Sequence, residues 1–200
     1  MRKMKRICVY CGSSPGSDPG HRAAAVNLGT LLATRGIGVV YGGGNIGLMG
    51  AVADAALSAG GEVIGVIPSA LMDKELGHRG VTKLHVVASM HERKQLMADL
   101  SDGFITLPGG IGTLEELFET FTWLQLGFHD KPVGMLNVGG FYDHLLAFLH
   151  HATAQKFMRD SHLASLLVEG DAVALLPRMA EFRAPPPAKW EVHPPSVDER

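Results

Sequence analysis

Three glutamates crowd the stretch "LPGGIGTLEELFE", residues 107–119, directly behind a proline and three glycines. Part of this is ordinary helix chemistry. Thr113 suits an N-cap, and Glu116 three residues later completes a capping box. Acids in a first turn also suit the helix dipole, each such effect being worth roughly 1 kcal/mol. One acid is enough for that purpose. Glu115, Glu116 and Glu119 instead stand at i, i+1 and i+4, where Glu115–Glu119 and Glu116–Glu119 repel as neighbours on a helix surface. Leu114, Leu117, Phe118, Phe121 and Leu124 form the apolar stripe, so the acids line another face, together with Thr122. A chemical use accounts for both halves of the stretch. Glycine N–H groups at a helix start hold a phosphate, and a carboxylate beside it meets a positive centre. A sugar losing its base develops such a centre at C1. At about 4 Å and an effective dielectric near 20, that contact is worth on the order of 4 kcal/mol. It arises only in the transition state, so it raises rate.

The segment "MHERKQLMADL", residues 90–100, supplies His91, Arg93 and Lys94 within one helix turn. Adjacent helical residues point about 100° apart, so one cation of the Arg93/Lys94 pair serves an anion while the other is solvated. A second glycine loop, "YGGGNIGLMG", places Gly42, Gly44 and Gly47 in a G-x-G-x-x-G pattern between a strand and a helix. A dinucleotide site also needs an acid at the end of the following strand. That strand ends in Ile67-Pro68-Ser69, and Glu62 precedes it, at the opposite edge of the sheet. No Gly-Lys-Ser/Thr follows any loop, so a Walker phosphate site is excluded. Two readings of the first loop stay open: an anion-facing backbone, with Gly43 and Gly44 among its members, or glycines that let a helix pack tightly on the sheet.

Cys8 and Cys11 are the only cysteines. Their C-x-x-C spacing falls within an apolar strand run, which makes them buried reduced thiols, and no partner set completes a zinc site. His144, His150 and His151 are spaced wrongly to share an ion. No metal is expected.

The elements that must position these groups alternate between strand and helix. Strands are expected at 6–11, 37–41, 63–67, 84–88, 104–107, 132–138 and 166–168. Helices are expected at 21–34, 48–59, 90–100, 113–126, 142–156 and 172–182. Short apolar strands separated by helices specify an α/β fold, a Rossmann-like doubly wound parallel sheet with helices on both faces. Ligands of such sheets sit beyond the carboxyl ends of the strands, where strand order reverses. The loops GSSPG, GGGNIG and PGGIG all fall at those ends. Residues 1–183 read as one nucleotide-binding catalytic domain and residues 184–200, with five prolines, as a Pro-rich tail, mobile or draped on the surface. The chain is 46% hydrophobic and 19% charged, with net charge −2 and pI about 6.5. That balance excludes a general electrostatic attraction to nucleic acid or an anionic membrane. No run approaches a membrane helix or a signal-peptide core, so a cytoplasmic protein is expected.

PGGIGTLEE, together with MHERK and YGGGNIGLMG, resembles the LONELY GUY family of cytokinin riboside 5'-monophosphate phosphoribohydrolases over roughly residues 6–183. Bacterial members are often labelled lysine-decarboxylase-like. The resemblance implies cleavage of the N-glycosidic bond of adenine-type nucleoside 5'-monophosphates to free base and ribose 5-phosphate. It implies Arg93 and Glu116 as the catalytic pair. It implies substrate contacts at Glu75, Lys94, Gly109, Gly110, Ile111, Gly112, Thr113, Leu114, Glu115 and Thr122, with Gly43 and Gly44 from the first loop. Ile111 stands where many members carry an aromatic residue. The family also implies a homodimer with each site near the subunit interface. No cofactor is expected: pyridoxal phosphate needs a Schiff-base lysine and a large pocket, and Lys94 is the only lysine near the motifs. The alternative is a carrier resembling the molybdenum-cofactor carriers, which needs the phosphate cradle but not both Arg93 and Glu116.

Overall fold

Seven short apolar runs pair side by side in the computed structural model, which describes residues 2–72 and 77–185. In chain order they are β1 (Arg6–Tyr10), β2 (Gly38–Tyr41), β3 (Val63–Pro68), β4 (Lys83–Val87), β5 (Gly103–Thr106), β6 (Val133–Leu136) and β7 (Leu166–Glu169). All pairings are parallel, and the sheet order is β4-β3-β2-β1-β5-β6-β7. The chain therefore runs outward from β1 to β4, then restarts with β5 on the other side of β1. The reversal lies between β1 and β5, the position where a doubly wound sheet opens a crevice.

The helices are α1 (Pro19–Thr34), α2 (Gly47–Ser58), α3 (Met90–Asp99), α4 (Ile111–Leu126), α5 (Asp143–Ala154), α6 (Asp160–Leu163) and α7 (Ala172–Glu181). One core packs α1, α2 and α7 on one face of the sheet around Leu28, Val52 and Leu175. The other packs α3, α4 and α5 around Met97, Leu117, Phe121 and Leu149. Strands β1, β2, β3, β5 and β6 are buried on both faces apart from the half-exposed Arg6, which is why they read as continuous apolar runs rather than alternating ones. Cys8 and Cys11 are free and buried, as their setting in an apolar run predicts.

The expected elements agree with the observed ones to within two residues at each end, with two differences of substance. The four-residue α6 is additional; it is too short to carry a helical period. The second concerns α4. It begins at Ile111 with Gly110 as N-cap, and no side chain caps it. Thr113 is the third residue inside the helix, so the expected Thr113–Glu116 capping box does not form. The S-x-x-E cap sits instead on α3, where Ser89 Oγ accepts from Glu92 N–H at 3.1 Å and the Glu92 carboxylate accepts from Ala88 N–H at 2.8 Å. Glu62 binds Arg6 at the amino-terminal edge of the sheet, Nε to Oε2 at 2.7 Å, far from the glycine loops as its place in the sequence requires. Among the described residues, no helix is long and apolar enough to cross a membrane. Most of the Pro-rich tail, residues 186–200, lies outside the described residues.

Candidate active site

The end of β5 leans across the end of β1. Leu107 N–H donates to Tyr10 O at 2.9 Å, and Gly12 N–H donates to Pro108 O at 3.1 Å. The buried Tyr142 hydroxyl fixes the same loop by donating to Leu107 O at 2.7 Å. From this platform α4 starts. Its first bond to the N-cap carbonyl runs from Leu114 N–H to Gly110 O at 3.1 Å. The amides of Ile111, Gly112 and Thr113 precede it and have no acceptor within the helix. They also carry the positive end of the helix dipole.

A cavity of about 320 Å³ opens in front of these amides. Cys11, Gly12 and Ser13 wall it from the β1 loop, and Gly110–Thr113, Glu115 and Glu116 wall it from α4. Arg93 and Met90 of α3, Met49 of α2 and Leu71 complete it. A second cavity of about 330 Å³ adjoins it and shares Gly12, Ser13 and Gly110. Its further lining includes Pro15, His21, Leu48, Gly109 and Phe141.

Arg93 is 4% exposed and is held by backbone carbonyls. Its Nε donates to Val66 O at 3.1 Å and its Nη2 to Gly42 O at 2.7 Å. The guanidinium thus enters the cavity in one fixed orientation. Glu116 is half-buried, and its charge is felt in the cavity floor. Burial pushes the Cys8 and Cys11 thiols and the Tyr10 phenol well above their ordinary ranges, and the Glu116 carboxylate pushes each of them further up. Arg93 acts on Cys8 in the opposite sense. These cysteines are therefore protonated thiols beneath the site.

The expectation that one cation of the Arg93/Lys94 pair is solvated fails at Lys94 as it does at Arg93. Lys94 is 8% exposed, and its ammonium bonds both Glu115 and, at 3.0 Å, Glu119. Burial opposes its charge, yet the two carboxylates outweigh that opposition and raise its pKa. The repulsion between Glu115 and Glu119 is thereby relieved from a neighbouring helix. Glu115 and Glu119 share Lys94, which holds α3 to α4, while Glu116 lines the cavity with Arg93.

Thr122, Leu114, Gly43 and Gly44 fall outside the cavity wall. Thr122 is exposed and its Oγ1 donates back to Phe118 O at 2.6 Å. Leu114 packs against the core. Gly43 and Gly44 line neither cavity; Gly43 O accepts from His78 N–H at 2.8 Å instead. Gly109 lies against Thr113, whose Oγ1 would be 2.2 Å from an added Cβ. Ile111 stands 82% exposed at the rim. Glu75 lies outside the described residues. Sequence reasoning missed Met49, Leu71 and Met90, whose types carry no chemical signal, and Ser13, which lies in the noticed GSSPG loop. Among the described residues, no cluster of His, Cys, Asp or Glu could hold a metal ion.

The family model described as "possible lysine decarboxylase" matches residues 49–179, which include α3, α4 and the loops between them. A rice protein, the probable cytokinin riboside 5'-monophosphate phosphoribohydrolase LOGL9 of Oryza sativa subsp. japonica, is 51% identical over 180 residues, covering 90% of this chain and 79% of its own. The cytokinin riboside 5'-monophosphate phosphoribohydrolase LOG1 of Arabidopsis thaliana is 48% identical over 180 residues, with 90% and 84% covered. Among solved structures, the molybdenum cofactor carrier protein of Chlamydomonas reinhardtii shares the fold, with a TM-score of 0.64 at 23% identity over 84% of this chain and 91% of that one. With close to half of its residues shared over nine-tenths of its length, the chain belongs to the family of cytokinin riboside 5'-monophosphate phosphoribohydrolases.

Proposed function

We propose that the chain hydrolyses the N-glycosidic bond of adenine-type nucleoside 5'-monophosphates, cytokinin riboside 5'-monophosphate or AMP, releasing the free base and ribose 5-phosphate. One observation carries this beyond family membership. Gly110 and Gly112 open the helix beside Arg93 and Glu116, and no heavy atom within 4 Å would meet a Cβ added at either. The protein leaves that room vacant at an amide-rich, positive helix end, as a phosphate requires.

The roles follow. The amides of Gly110, Gly112 and Thr113 hold the 5'-phosphate. Glu116 stabilises the sugar cation as the bond to the base lengthens, or orients the attacking water. Arg93, fixed by Val66 O and Gly42 O, places the phosphate or ribose and assists departure of the base. Glu75, Lys94 and Thr122 contribute to substrate binding through the segment 73–76 and through α3 and α4. The active protein is a cytoplasmic homodimer. Its cysteines are free and buried, and Phe128, Phe148 and Phe157, each more than 60% exposed, offer apolar surface that association covers.

Incubation with AMP and with isopentenyl-AMP tests the reading: free base must accumulate. Nucleotide bound without release of base means a carrier instead. The E116Q variant should lose at least about 10³-fold in turnover with an unchanged melting temperature. Turnover near wild type in E116Q removes the role given to Glu116.

A further inference from the structure

We infer that Asp54 and His78 form a latch that positions Arg93, so that an exposed carboxylate outside the cavity wall sets the rate of the reaction. The inference rests on the hydrolase reading above.

The latch begins at a turn. Gly42 O accepts from Arg93 Nη2 at 2.7 Å, and the next carbonyl, Gly43 O, accepts from His78 N–H at 2.8 Å. Gly44 pairs with Gly77 in an isolated antiparallel bridge, and Gly77 N–H donates to Met72 O at 2.9 Å. One turn therefore carries the anchor of Arg93 and receives Gly77 and His78. The His78 side chain fastens this contact. Its imidazole is buried. Gly80 N–H points to Nδ1 at 3.2 Å, which makes Nδ1 the acceptor and puts the proton on Nε2. Nε2 then donates to Asp54 Oδ1 at 2.9 Å. Asp54 lies on α2, and its side chain is 65% exposed. The path from Asp54 to the guanidinium is thus continuous: carboxylate, imidazole, the backbone of residue 78, two successive carbonyls, Arg93. Asp54 touches neither Arg93 nor Glu116. It is a positioning residue, and a shift of the turn near 1 Å costs up to about 10²-fold in rate.

Two substitutions at the exposed end test this without disturbing the core. D54A removes the acceptor; D54N keeps an oxygen for Nε2–H. D54A should lower kcat about tenfold while KM changes by less than about twofold, and D54N should stay within about twofold of wild type. Hydrogen exchange at the His78 amide should quicken in D54A and not in D54N, with the melting temperature of both unchanged. Wild-type kcat in D54A overturns the latch, and so does an equal loss in both variants. A wild-type enzyme that releases no base from AMP or isopentenyl-AMP sinks the hydrolase reading instead, and His78 exchange alone then decides the latch: equal rates in wild type and D54A overturn it.

Discussion

The two glycine loops look alike in sequence and differ in what surrounds them. In the loop at 42–47 the protein itself occupies the space that side chains would take. A Cβ at Gly47 would lie 2.3 Å from Ser13 C, and Gly47 has φ +60°. A Cβ at Gly42 would lie 2.2 Å from Arg93 Nη2. In the loop at 109–112, Gly110 and Gly112 face open space. The first loop holds glycines so that backbone and Arg93 can close on it. The second keeps Gly112 inside the helix although nothing in the fold crowds it, and glycine in a helix costs roughly 1 kcal/mol against alanine. The anion seat proposed above accounts for that cost. The contrast also favours one of the two readings that composition left open for the first loop: its glycines let backbone and Arg93 pack tightly against it.

The largest effect belongs to the first loop. G47A combines a left-handed backbone with a backbone clash and should lose about 3 kcal/mol of stability, seen as a drop in melting temperature of roughly 10 °C. A loss below about 1 kcal/mol would mean that the loop relaxes and that its glycines are not structural.

G42A meets a side-chain end rather than a backbone. The guanidinium can yield, so stability should fall little while turnover falls about 100-fold as Arg93 leaves its place. Unchanged turnover with Arg93 displaced would separate Arg93 from the reaction.

G112A should do the opposite of G47A. It puts a better helix former where nothing obstructs it, and stability should rise by about 0.5 kcal/mol. The added methyl crowds the cavity, and kcat/KM should fall about tenfold. A variant both more stable and fully active would break the contrast between the loops.

Much of this arrangement was legible from the sequence, for local reasons. Strands buried on both faces are written as continuous apolar runs, so the sheet, its crevice and the loops at its carboxyl edge could be placed. Arg93 and Glu116 do meet in one cavity. What was not legible depends on partners distant along the chain. The pairing of Lys94 was not legible because its partners, Glu115 and Glu119, lie 21 and 25 positions away. The cap expected of Thr113 fails because Gly110, with an extended backbone at φ −92° and ψ −156°, lets the helix start two residues earlier. Met49, Leu71 and Met90 wall the site with side chains that any core would use.

The helix that opens toward the cavity is pinned at its far end, and acid should loosen it there. His129 Nε2 lies 3.0 Å from Thr120 O, and Lys131 N–H donates to Nδ1 at 3.1 Å. Nδ1 is therefore the acceptor and Nε2–H the donor to α4. Burial lowers the His129 pKa below its ordinary 6.5, outweighing the Thr120 hydrogen bond that raises it. As pH falls through 6.5 the unfolded chain takes up a proton that the folded chain still resists, so the unfolded state binds more protons and stability falls. The effect is absent above that value and has reached its full extent once pH is below the lowered folded value. H129N keeps an oxygen for Lys131 N–H and does not titrate. Urea midpoints at pH 7.5 and pH 5.5 should therefore fall further on acidification in the wild type than in H129N, the smallest of the four effects. Equal falls would show that protonation of His129 does not bear on the hold of this loop on α4.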